Sequence, residues 1–275
     1  RACGAHAKLG ADYSCWECFG PLEVAYDFGT VTREQIQSGP FSLWRYAALL
    51  PVPANIAESR NLAPGMTRLH RADNLAKALG ITGTLWVKDD SGNPTHSFKD
   101  RVVAVAQSAG IQLGFNTLAC ASTGNLAHAV AAAAARAGQK SVVLVPSNLE
   151  QHKIQATAAY NGHVIGIEGN YDDVNRLCGE LIGEEVSSNW GFVNVNLRPY
   201  YAEGSKTVGY EIAEQLGWRL PDQVVIPVAS GALLTKVDKG WREFVELGLV
   251  ESKPWRVFGA QATGCNPVST AWADG

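Results

Sequence analysis

The stretch Asn93-Pro94-Thr95-His96-Ser97-Phe98-Lys99-Asp100-Arg101 follows a strand-like run over 85–88 and opens a helical run expected over 98–110, closed by Gly110. Pro94 and Ser97 suit a turn and a helix start, so the junction brings Lys99 into the first turn of a helix at the carboxyl edge of a sheet. The positive end of the helix dipole disfavours a cation there. The neutral amine, which is the nucleophile toward an aldehyde, becomes more accessible in consequence. Taken alone, Lys99 also reads as a solvated lysine paired with Asp100 or a nearby glutamate.

Outward from this junction the pattern repeats. Strands are expected over 117–121, 141–145, 164–167, 192–195, 224–228 and 257–260, alternating with helices over 125–137, 150–160, 172–184, 205–216 and 233–247. Such alternation implies α/β layers with largely parallel sheets and right-handed crossovers, whose ligands bind at the carboxyl ends of strands. Upstream, 22–26 looks strand-like. The Pro-, Ala- and Leu-rich stretch from there to about Met66 reads as an N-terminal extension.

Two further strand-to-helix junctions carry polar or small residues. Ala121-Ser122-Thr123-Gly124-Asn125 offers two hydroxyls, an amide and free backbone N–H groups, the makings of a carboxylate-binding helix start. Pro227-Val228-Ala229-Ser230-Gly231-Ala232-Leu233-Leu234-Thr235 lets backbone approach a phosphate closely at another helix start. No lysine follows it at P-loop spacing, which argues against a nucleoside triphosphatase. Each segment alone also reads as an ordinary capped turn. Together with Lys99 they make one site for an aldehyde cofactor bearing a phosphate and for an amino-acid carboxylate.

With 275 residues the chain can form one large domain or two packed ones. Its formal net charge of -3 gives no basic field for nucleic acid or an anionic membrane. No apolar run reaches the ~20 residues of a membrane span, and the opening Arg1-Ala2-Cys3-Gly4 lacks a signal-peptide core. A cytoplasmic soluble protein is therefore expected. Six cysteines do not make a disulfide scaffold, but Cys3, Cys15 and Cys18 crowd together. The Cys-x-x-Cys spacing of Cys15 and Cys18 lets two thiolates reach one zinc. Cys3 would be a third ligand, with His6 or a cysteine ahead of Arg1 as the fourth; a degenerate ribbon without metal is the alternative.

The Lys99 motif, Ser122-Thr123-Gly124-Asn125, Glu203-Gly204-Ser205-Lys206-Thr207, Gly259-Ala260-Gln261-Ala262-x-Gly264 and the Cys-x-x-Cys-Phe-Gly-Pro-Leu-Glu opening resemble threonine synthase, a pyridoxal phosphate (PLP) lyase of fold type II, the tryptophan synthase β-like class. The resemblance runs essentially from end to end. It implies an α/β fold of two domains with mostly parallel sheets and helices on both faces: a zinc-ribbon-like segment over 1–28, a large PLP-binding domain from 29–112 and 198–275, and a smaller inserted domain over 113–197. By the same resemblance, Lys99 carries PLP as a Schiff base and is the catalytic proton carrier. Asn125 bonds the cofactor's 3′-oxygen, and Val228, Ala229, Ser230, Gly231 and Ala232 hold its phosphate.

Ser97, Ser122, Thr123, Gly124 and Asn125 would bind the substrate carboxylate, and Asn194, Asn196 and Arg198 the substrate phosphate. The implied partner is a small amino-acid phosphate, O-phospho-L-homoserine, with neither nucleic acid nor membrane and with room for a homodimer. A β-eliminating threonine or serine dehydratase shares the same lysine, carboxylate loop and phosphate cup, and a non-catalytic homologue is a further alternative. Family members continue beyond residue 275 with the residue facing the pyridine nitrogen and the last strands of the large domain. The chain is thus expected to be a fragment, its own activity in question.

Overall fold

The computed structural model describes residues 2–52, 62–122, 124–148 and 151–274. In chain order its elements are α1 (Arg33–Gln37), a 3-10 stretch (Leu43–Leu49), β1 (Arg68–Arg71), α2 (Asp73–Ala78), β2 (Trp86–Asp89), α3 (Lys99–Gln112), β3 (Thr117–Ala121) and α4 (Asn125–Ala137). They continue with β4 (Lys140–Pro146), α5 (Gln151–Ala158), β5 (His163–Ile167), α6 (Tyr171–Glu180), β6 (Trp190–Phe192), α7 (Arg198–Gly204) and α8 (Lys206–Gln215). The last four are β7 (Gln223–Pro227), α9 (Ala232–Glu246), β8 (Arg256–Ala260) and α10 (Pro267–Asp274).

Contacts divide the chain into two units. One comprises 1–29, 39–68 and 89–204; the other comprises 30–38, 69–88 and 205–275. This division differs from the expected 113–197 insertion, because α3 packs on both α4 and α7 and so joins the four-stranded sheet.

In the first unit, strands run in the order β5-β4-β3-β6 and every neighbouring pair is parallel. All five residues of β3 are buried, as a central parallel strand covered on both faces requires. Its alternation divides the core. Leu118 and Cys120, with Val143 and Val145 of β4, face Val102 and Val105 of α3 and Val130 of α4. Ala119 and Ala121, with Val142 and Leu144, face Val174 and Cys178 of α6. The chain steps from β3 outward through β4 and β5, then returns to lay β6 on the other side of β3. That reversal makes the carboxyl ends of β3 and β6 the switch point, where α/β sheets open a crevice.

The second unit is built on the crossing of α8 and α9 beside the parallel pair β7–β8. A Cβ on Gly209 would lie 3.0 Å from Val237 O, and one on Gly240 would lie 3.2 Å from Lys206 O, so two glycines let these backbones meet. The fully buried Trp241 locks the crossing by donating Nε1–H to Gly209 O at 2.8 Å. Lys206 and Glu243 pair at 3.0 Å inside it, and the Tyr210 hydroxyl also bonds Glu243. Lys88 bonds both Glu211, at 2.7 Å, and Gln215. Among the described residues no helix is long and apolar enough to cross a membrane.

Several expectations need correction. The segment 22–26 is not a strand; among the described residues the nearest pairing is an isolated bridge, Ser14 to Pro21. The Pro-rich stretch is no mere extension, since Leu43, Trp44 and Leu50 enter the first unit's core. Gly110 does not close α3, which runs to Gln112; a Cβ at Gly110 would sit 3.2 Å from Leu197 Cδ1, so its role is packing. The expected strand over 192–195 ends instead at Phe192, where Asn196 Oδ1 takes the Phe192 N–H at 2.8 Å and folds the chain into a turn. The helix over 172–184 ends at Glu180. Residue 150, the expected start of another helix, lies outside the described residues.

Candidate active site

Lys99 is the first residue of α3, as its motif predicts. The approach to it is fixed by a buried polar lock. Arg101, with no exposed surface, donates from Nε and Nη2 to the two oxygens of Asp90, both at 2.8 Å, and from Nη2 to Thr67 Oγ1 at 3.0 Å. Thr67 in turn donates to Asp90 at 2.7 Å. Asn93 accepts the Gly65 N–H and donates to Asp90 O. His96 adopts φ 60, an uncommon left-handed conformation for a residue with a side chain, held within this locked loop.

The pairing of Lys99 with Asp100 does not occur. Asp100 is buried and accepts from Thr95 N and Oγ1, each at 2.7 Å. Lys99 Nζ instead donates to Tyr201 Oη at 2.6 Å and lies over the Phe98 and Tyr201 rings. Desolvation by burial lowers the Lys99 pKa, which favours the neutral amine a covalent attachment needs. Tyr201 is pushed well up by burial and by Cys120 and Tyr171, while Arg198, three residues earlier on α7, pulls it down. Tyr171 bonds Ala121 O at 3.2 Å, so these side chains gather at the carboxyl end of β3.

The other expected residues of this unit take varied positions. Ser97 Oγ accepts the Lys99 N–H at 3.3 Å, and Ser122 Oγ accepts that of Gly124 at 3.4 Å. Gly124, without a side chain, is the N-cap of α4, and Asn125 is exposed at its first position, so among the described residues no side-chain cap bond closes this helix start. Thr123 lies outside the described residues. Asn196 has its carbonyl oxygen committed to Phe192. Asn194 keeps a buried Oδ1 with no hydrogen-bond partner, and an amide turned over would present N–H groups there. Arg198 is exposed at the start of α7.

In the second unit, Val228, Ala229, Ser230 and Gly231 join the end of β7 to α9, which begins at Ala232. Gly231 is the N-cap at φ 79, and no side chain caps the helix. An added Cβ at Gly231 would meet nothing within 4 Å, so conformation rather than space demands glycine there. An uncapped helix start preceded by small residues fits a phosphate dianion, and the lysine of the first unit, its charged form disfavoured by burial, fits an aldehyde.

Tyr201 is the candidate site residue that the sequence did not disclose. Its partner lies 102 positions away, and the segment Arg198–Gly204, opened by Arg-Pro, does not advertise a helix.

A family profile described as pyridoxal-phosphate dependent enzyme matches residues 60–275. Threonine synthase of Methanosarcina acetivorans is 38% identical over 99% of this chain and 66% of its own length. That of Methanocaldococcus jannaschii is 36% identical over 94% of this chain and 64% of its own. The chain thus spans just under two thirds of the length of these relatives. Among solved structures, the processed form of threonine deaminase isoform 2 from Solanum lycopersicum superposes with a TM-score of 0.62 at 19% identity, over 98% of this chain and 69% of that one. Escherichia coli diaminopropionate ammonia lyase gives 0.62 at 20%, over 90% and 69%. These structural matches establish a shared fold.

Proposed function

The chain belongs to the pyridoxal-phosphate dependent enzymes, and from that premise we propose that the full-length protein converts O-phospho-L-homoserine and water to L-threonine and phosphate. The observation that carries the reading is the desolvated Lys99 amine at the head of α3, in a chain 38% identical to a threonine synthase. When bound, PLP withdraws electrons from the substrate's α and β carbons, so that the γ-phosphate leaves and water adds at the β carbon.

Lys99 attaches the cofactor and, once displaced by substrate, carries protons at Nζ. Tyr201 Oη, 2.6 Å away, orients that amine. Asn125 binds the cofactor's 3′-oxygen, and the backbone amides of 228–232 hold its phosphate. Ser97, Ser122, Thr123 and Gly124 take the substrate carboxylate. Asn194, Asn196 and Arg198 take its phosphate, with Arg198 the anchor because its planar fork binds two phosphate oxygens. The place of Arg198 three residues before Tyr201 on α7 supports this assignment, since Tyr201 touches Lys99.

The test is Arg198→Ala in the full-length protein. A lost charge-assisted hydrogen bond is worth about 1.5–3 kcal/mol, which corresponds to a kcat/KM for phosphohomoserine lower by roughly one to two orders of magnitude. Slow turnover of serine or threonine, which lack the phosphate, should barely change. No loss on phosphohomoserine moves the phosphate site elsewhere. Efficient conversion of threonine to 2-oxobutyrate, with phosphohomoserine ignored, replaces this reading by a dehydratase.

A further inference from the structure

Residues 2–28 contain no helix or strand, and their only paired backbone segment is the isolated bridge between Ser14 and Pro21. Within that bridge the chain turns tightly. Cys15 N–H donates to Gly20 O at 2.8 Å and Phe19 N–H to Cys15 O at 2.9 Å. Phe19 adopts φ 56, a conformation that costs a residue with a Cβ about 1–2 kcal/mol. Burial of the tip cannot offset that cost, since Trp16 is 75% and Phe19 81% exposed. Backbone hydrogen bonds close the turn, and three cysteines stand beside it.

The Sγ atoms of Cys3, Cys15 and Cys18 all lie within 4.8 Å of one another. Cys3 and Cys15 are 3.7 Å apart, far beyond the ~2.05 Å of a disulfide. Two thiolates on one zinc, each bonded at ~2.3 Å in tetrahedral geometry, stand roughly 3.8 Å apart. The surroundings accommodate the same arrangement. Cys15 Sγ accepts the backbone N–H groups of Cys18 and Glu17. Gly20 leaves room for Cys18, whose Sγ would lie only 3.3 Å from an added Cβ.

We propose that Cys3, Cys15 and Cys18 bind one tetrahedral divalent metal ion of the zinc class, which holds the N-terminal turns in place. Among the described residues no fourth His, Cys, Asp or Glu atom joins the group, so the fourth position is open to water or to a ligand from elsewhere. The ion's influence extends to α7. Tyr200 donates to Gly10 O at 3.0 Å, and Tyr26 donates to Glu203 Oε2 at 2.6 Å. The metal-held segment thus buttresses the helix that carries Tyr201 and Arg198.

The experiment measures metal content and thiol protection in full-length protein purified under reducing conditions. One equivalent of zinc per chain is expected. Replacement by Co2+ should produce visible bands of tetrahedral thiolate coordination, and Cys15→Ser should abolish both zinc and bands. Cys265→Ser, an exposed cysteine outside the group, should keep them. Strong chelation should open residues 2–28 to limited proteolysis ahead of the remainder. Failure of the reduced protein to bind zinc or cobalt overturns the proposal, as does undiminished metal in Cys15→Ser. An intramolecular disulfide between any two of the three, recovered by peptide mapping without reductant and insensitive to added zinc, also overturns it.

Discussion

Gly204→Ala tests how tightly the candidate site is held by backbone contact. A Cβ built on Gly204, the last residue of α7, lies 2.7 Å from Val102 Cα, 2.8 Å from Arg101 O and 3.1 Å from Arg101 C, all backbone atoms of α3. No side chain can swing aside. Reaching an ordinary 3.4 Å contact requires the two helices to separate by about 0.7 Å at this point. Overpacking of this kind costs about 1–3 kcal/mol. Because Lys99 begins α3 and Tyr201 lies on α7, the separation should also lengthen their 2.6 Å hydrogen bond. Urea unfolding should show Gly204→Ala less stable by that amount with the slope unchanged. Gly179→Ala provides the control, since it sits in α6 with nothing within 4 Å of the new Cβ. It should stabilise by about 0.5–1 kcal/mol through helix propensity. A Gly204→Ala midpoint equal to or above that of the parent protein would refute the reasoning.

Lys99→Met should eliminate covalent cofactor attachment, checked by borohydride reduction and peptide mapping, and should raise the stability of the cofactor-free protein at neutral pH. The sign follows from burial: the Lys99 pKa is lowered in the folded chain, so between that value and the ordinary 10.5 the unfolded chain binds the extra proton and stability rises with pH. Denaturation as a function of pH should show this slope in the parent and not in Lys99→Met; equal slopes contradict it. Gly231→Val forces a β-branched residue to φ 79 and should weaken PLP retention. Normal cofactor stoichiometry after dialysis of that variant removes the phosphate assignment.

The parallel sheet was legible because its periods are clean. Apolar runs at 117–121 and 141–145 are strands too short for helices, and the alanine run between them ends at Gly138, which adopts the φ of 69 expected of a helix stop. The Lys99 and Gly231 junctions were legible for the same reason, each carrying its own turn chemistry. What escaped was decided by distant partners. Leu22, Val24 and Tyr26 alternate with Glu23 and Ala25 like strand residues, yet these positions take no strand conformation. Phe192 to Val195 looks extended, but Asn196 reclaims the Phe192 N–H and ends β6 early. Tyr201 could be seen only after α7 was packed on α3.

The Arg101 lock limits how the lysine motif can be transplanted. A protein engineer moving residues 93–101 into another α/β scaffold would carry the lysine but not its restraints, since Thr67 lies 34 positions upstream of Arg101 and Gly65 lies 28 upstream of Asn93. Without Asp90 and Thr67, the grafted arginine would enter the core as an uncompensated charge, a penalty of about 3–5 kcal/mol. The portable unit is therefore discontinuous: two separate segments, 65–67 and 90–101, must travel together if the amine is to arrive in the same orientation.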